Sequence, residues 1–139
     1  MTADRLLLWL VRVNAGILLL AAPCTVLPVR WMAAVHRDIF GLGDFPISPI
    51  VVYMARSLAL TYALHGAVVL GVTFNWPRYR SAVAYLAGLH IIFGCSIVAI
   101  DLTAGMPWWW TLGEGGSAVF GVVVLGVYRR ASRSESGVR

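Results

Sequence analysis

The sequence predicts an all-α integral membrane protein: a four-helix bundle with both ends in the cytoplasm and a longer outer loop between helices 1 and 2. Three observations carry this. Hydrophobic residues make up 60% of the 139-residue chain and charged residues only 12%, about half the charged share of a soluble domain. Four apolar stretches approach the roughly 20 residues that a helix needs to cross the hydrocarbon core. The arginines gather at alternate ends of those stretches, the pattern that sets orientation in a bilayer. Mean hydropathy is +0.81, so lipid is the expected solvent for most of the surface.

The first span is read from Leu6 to Pro28, the second from Pro49 to Phe74, the third from Ser81 to Ile100 and the fourth from Thr111 to Tyr128. Boundary chemistry marks three of these ends. Ser48-Pro49 pairs an N-cap residue with proline at the first helical position, where the missing N–H costs nothing. Asn75-Trp76-Pro77 stops the second span and turns the chain. Thr111-Leu112-Gly113-Glu114 matches a capping box for the fourth span. Leu20-Ala21-Ala22-Pro23-Cys24 has a faint lipobox look. However, Pro23 stands where a small residue is needed and Arg12 interrupts the apolar run, so the first span is read as a retained helix.

Orientation follows from charge. Arg5, Arg78, Arg80, Arg129, Arg130, Arg133 and Arg139 fall on one side, and only Arg30 and Arg37 occupy the first loop of the other. The positive-inside rule places the first group in the cytoplasm of a bacterial-type inner membrane. Trp108, Trp109 and Trp110 then form the outer aromatic belt, and Trp9, Trp76, Tyr79 and Tyr128 the inner one. In the outer loop, Trp31 to Phe40 mixes apolar and charged residues. It reads as a short interfacial helix ending at Gly41-Leu42-Gly43. Residues 129–139 read as a disordered basic tail.

The net charge of +5 comes entirely from arginine. Those arginines flank apolar runs, which fits membrane orientation and not nucleic-acid binding. Cys24 and Cys95 form no CxxC and no metal-type spacing, and read as small apolar residues. No GxSxG motif and no phosphate loop occurs, and the chain contains no lysine.

Ionisable residues within spans are costly in lipid and are therefore the site candidates. Arg12 is long enough to snorkel to the near interface. Arg56, with Tyr53 one turn above it, lies about two turns below the outer end of the second span. Asp101 ends the third span, where the helix dipole disfavours a negative charge by about 0.3–1 kcal/mol. Arg56, Arg37 or Arg30 is the expected compensation, and Glu114 lies at the same level. Arg56, His90, Asp101, Glu114 and Tyr53, with His36, Arg37 and Asp38 from the loop, make an outer polar cluster. It serves either as an ion-pair network holding helices in register or as a pocket for a lipid, a quinone or a similar amphipathic molecule.

His65 and His90 lie at one depth, about 13–14 Å from the inner boundary at 1.5 Å per residue. Axial ligation of a b-type haem is one use of that pair. Hydrogen bonding to a neighbouring helix is the other, and His90 shares a face with Asp101. No metal set accompanies them. Ser117 and Gly121, and Ala84 and Gly88, have the small-xxx-small spacing that lets helices approach closely.

Arg12 followed by Gly16 in the first span, and its proline-ended outer boundary at Pro28, resemble the opening of the small four-helix bacterial membrane proteins of the DoxX and BphX-like type. The four-span layout with polar groups at the outer ends is also similar. Such proteins often place an acid in the second span, where this chain carries Arg56 and His65. The resemblance implies an accessory role near quinone-linked redox chemistry, or no defined role. From the residues alone, the expected function is a non-enzymatic accessory or scaffold subunit without a cofactor, whose partners are the bilayer and other membrane subunits or further copies of itself.

Overall fold

The computed structural model describes residues 2–136, with side chains to residue 133. Among these residues it is all-helical, without strands. The helices are α1 (Ala3–Leu19), α2 (Val29–Ala34), α3 (Pro49–Phe74), α4 (Trp76–Tyr79), α5 (Ala82–Ala104) and α6 (Trp108–Ser136). A 3₁₀ turn at Ala22–Thr25 extends α1, and a π turn at Val35–Ile39 extends α2. Four helical segments are long and apolar enough to cross a membrane: Ala3–Thr25, Pro49–Phe74, Ala82–Ala104 and Trp108–Arg133.

The ends follow from backbone chemistry. Pro23 has no N–H to continue α1, so the last turn tightens, and Cys24 and Val26 bond to the carbonyls of Ala21 and Pro23 at 3.0 and 3.1 Å. Ser48 begins α3 as expected, with Val51 N–H donating to Ser48 Oγ at 3.4 Å. Asn75 leaves the helical region at φ −121°, ψ 61°. Its carbonyl then accepts from Arg78 and Tyr79 at 3.2 Å, which starts α4 at Trp76-Pro77. Gly105 closes α5 in the left-handed region at φ 70°, with its N–H on the Asp101 carbonyl.

Both ends of the fourth span differ from the sequence reading. The fourth helix starts at Trp108, so Thr111 and Glu114 are helix interior and the capping box does not form. The Pro107 carbonyl starts the helix instead, accepting from Trp110 and Thr111 at 2.9 and 3.2 Å. The same helix runs on to Ser136, through most of the stretch read as a disordered tail. Ala131 is buried there, and Ser132 Oγ donates to the Tyr128 carbonyl at 3.1 Å. Residues 137–139 lie outside the described part of the chain.

The chain forms two compact units, Met1–Val11 with Val72–Arg139, and Arg12–Gly71. In the first, Leu7, Val83 and Val124 are the largest fully buried side chains. Here α5 and α6 run antiparallel in close contact. Gly94 lies against the backbone of Ala118, and Gly121 against the Ala87 carbonyl and Ile91, where an added Cβ would sit 2.5 and 2.7 Å from those atoms of Ala87 and Ile91. In the second unit, Gly66 lets α3 meet α1, where a Cβ would stand 2.9 Å from the Ala15 carbonyl oxygen and from Leu18 Cβ. Small residues thus set the helix spacing in both units, which is how helices pack when lipid removes the hydrophobic drive between them. Of the two spacings noted in the sequence, Ser117 and Gly121 are used, whereas Gly88 meets nothing within 4 Å.

Candidate functional site

The candidate residues divide between the two units. Tyr53, Arg56 and His65 are on α3 in the Arg12–Gly71 unit, and His90, Asp101 and Glu114 are on α5 and α6 in the other.

Arg56 Nη2 donates to the Leu27 carbonyl at 3.1 Å. That carbonyl precedes Pro28, just after the 3₁₀ turn, where no helical N–H is left to take it. Arg56 therefore satisfies an orphan acceptor at the end of the first span. Its buried Nε has no hydrogen-bond partner among the described residues. Tyr53 and His65 are exposed on the same helix.

The loop after α2 is held by its own residues. His36 Nδ1 lies 3.0 Å from the Gly43 carbonyl oxygen, and the His36 ring meets Phe45 edge-on at 5.4 Å. Gly41 and Gly43 both take positive φ, at 60° and 81°, which lets the chain reverse. Arg37 pairs with Asp38, Nε to Oδ1 at 2.7 Å and Nη2 to Oδ2 at 3.3 Å. The Arg37 guanidinium, donating to Asp38, holds that carboxyl below its usual range and its own pKa is raised in return. Both side chains are exposed, so this pair adds little stability. An open depression on α2 is lined by Arg30, Trp31, Ala34 and Val35.

In the other unit, His90 Nδ1 lies 2.8 Å from the Leu86 carbonyl oxygen one turn back on α5. Its ring packs on Phe120 of α6, with centroids 5.2 Å apart. Ser117 Oγ donates to the His90 carbonyl at 3.3 Å. His90 is thus a pinning point between α5 and α6.

Asp101 lies in the last turn of α5. It is 4% exposed, and its Oδ2 has no hydrogen-bond partner among the described residues. Glu114, on α6, is within electrostatic range of Asp101 and is hydrogen-bonded by Trp110. Thr111 Oγ1 is also buried without a partner. The register explains this grouping. Gly94 faces Ala118 and Val98 faces Gly115, so the next positions along the same two stripes are Asp101 and Thr111. The negative end of α5 and the positive end of α6 meet at this level and offset each other. Helix dipoles alone therefore do not compensate the Asp101 charge.

The sequence reading passed over Asp4. This residue lies in the first turn of α1, where its charge suits the helix dipole. It accepts from the Trp76 indole at 2.9 Å and pairs with Arg80 Nε at 2.8 Å. Arg80 also lies over the Tyr128 ring, 6.0 Å from its centroid. A polar lock thus ties α1, α4 and α6 at the arginine-rich end of this unit.

No group of three or more His, Cys, Asp or Glu placed to hold a metal ion occurs among the described residues. Both cysteines are free. No protein-family model, no curated protein and no solved structure matches the chain.

Proposed function

We propose that this chain is a four-helix accessory or scaffold subunit of a bacterial-type cytoplasmic membrane, with both ends in the cytoplasm. The observation that carries this reading is the way two of its intramembrane polar side chains, Arg56 and His90, are spent. Arg56 serves the Leu27 carbonyl and His90 serves the Leu86 carbonyl. Both bonds satisfy backbone acceptors, as interior polar groups of a packed membrane helix do. The arginine distribution supports the orientation, and the resemblance of Arg12, Gly16 and the Pro28 boundary to the opening of DoxX and BphX-like proteins implies the accessory role.

The test is purification of the tagged chain from its own membranes in mild detergent, followed by native mass spectrometry. A second polypeptide or further copies of the chain at fixed ratio is the expected result. A monomer that retains haem, a quinone or a lipid would contradict it.

A second reading, a pocket for a lipid, quinone or other amphipathic ligand to which His90, Asp101 and Glu114 contribute, is favoured by one observation, the unsatisfied Oδ2 of buried Asp101. Haem ligation by His90 is a variant of that reading. The absorbance of protein expressed with added haem tests it, since a Soret band is its signature.

A further inference from the structure

Asp101 and Thr111 face each other by register across α5 and α6, yet neither satisfies the other. Asp101 Oδ2 and Thr111 Oγ1 are each buried without a hydrogen-bond partner among the described residues. A carboxylate buried among apolar helices stays ionised only when a partner compensates it, and otherwise takes up a proton. Among the described residues of this unit no arginine stands at this end. Asp4 ties Arg80 to the start of α1; Arg78 precedes α5, and Arg129, Arg130 and Arg133 occupy the far end of α6. Glu114 adds a second acid rather than relief, and Trp110 already holds it.

We propose that Asp101 and Thr111, with Glu114 behind them, bind a small monovalent metal cation of the sodium class. The donor set decides the class. A carboxylate oxygen and a hydroxyl are hard oxygen donors, which suit alkali and alkaline-earth ions and not zinc or copper. One free carboxylate oxygen is too few for calcium, which takes six to eight oxygens and several carboxylates. A single positive charge balances Asp101. The Trp110 indole keeps Glu114 turned to itself, so Glu114 contributes field and not a ligating atom. The site lies one turn below the α5–α6 connection, the shortest route to water in this hairpin. The proposal is independent of the accessory-subunit reading, because it concerns one hairpin and not its partners.

The test uses the full chain in detergent at constant ionic strength, with sodium chloride replaced stepwise by choline chloride. Thermal unfolding is followed by tryptophan fluorescence, at two pH values. The wild type is expected to show a saturable rise of its unfolding midpoint with sodium. Asp101→Asn, which keeps the shape and removes the charge, is expected to lose that response. Thr111→Val is expected to weaken apparent sodium affinity about tenfold, the loss of one ligand. Coincident sodium and choline curves would overturn the proposal, and so would an Asp101→Asn protein that still responds to sodium. A midpoint that follows pH in choline and ignores sodium assigns the site to a proton and also overturns it. Should Asp101→Asn fail to fold, Thr111→Val decides: an unchanged sodium response contradicts the assignment.

Discussion

Gly94 of α5 rests against the backbone of Ala118 of α6 so closely that a methyl group on Gly94 would overlap the Ala118 amide. The contact lies between two helix backbones, so no flexible side chain can move aside. Gly94→Ala is expected to force the two helices apart and to destabilise the protein by about 1–3 kcal/mol, the usual cost of overpacking. Gly88→Ala, at an open position on the same helix, is expected to be neutral or slightly stabilising, since alanine is the better helix former. Thermal unfolding of the two variants in one detergent checks both. Equal loss at both sites would contradict close α5–α6 packing.

The lock at Asp4 carries a second prediction. Asp4→Ala removes the acceptor of the Trp76 indole and the partner of Arg80. The expected loss is about 1–2 kcal/mol, the scale of a charge-assisted hydrogen bond in a partly exposed setting. Asp4→Asn is expected to lose less, because it still accepts from Trp76. Trp76 fluorescence in Asp4→Ala should report a changed indole environment.

Arg56 tests the difference between a structural and a binding role. If its work is to satisfy the Leu27 carbonyl, Arg56→Lys should keep most of the stability, and Arg56→Leu should lose about 1–3 kcal/mol, the cost of an unsatisfied buried acceptor. Urea or thermal unfolding of the two variants gives the ranking. Equal stability of all three proteins would contradict the structural role.

The Arg37–Asp38 pair gives a pH prediction with a definite sign. Asp38 has its carboxyl pKa lowered by Arg37 from an ordinary 3.8. Any stability it adds is present above that ordinary value and is lost as pH falls through the lowered one. Because both side chains are exposed, Asp38→Asn is expected to leave the unfolding midpoint unchanged at neutral pH. A clear fall of that midpoint would show that the loop is held by this pair and not by His36 and Phe45.

Much of the fold was legible because membrane helices announce themselves by length and apolarity, and because Ser48-Pro49 and Asn75-Trp76-Pro77 are local stop and start signals. The start of α6 was misread for a local reason. Thr111 and Glu114 fit a capping template, but Pro107, three residues ahead of the first turn's end, supplies the starting carbonyl first. The continuation of α6 past Tyr128 was hidden by polar composition, and Ala131 shows that the stretch still has a buried face. Asp4 was missed because its partners, Trp76 and Arg80, lie more than 70 residues along the chain, and no spacing rule links them. The α5–α6 register that brings Asp101 level with Thr111 is likewise a property of the packed hairpin. The sequence suggested only that Asp101 needed compensation.

The most direct test of the central claim is a map of which side each loop occupies. In a background with Cys24 and Cys95 replaced by alanine, single cysteines at Asp38 and at Arg133 are labelled in intact cells with a membrane-impermeant maleimide. The account predicts labelling of the Asp38→Cys protein from outside and of the Arg133→Cys protein only after the membrane is opened. Labelling of both from one side, or the reverse pattern, would contradict a four-span chain with its arginine-rich ends in the cytoplasm.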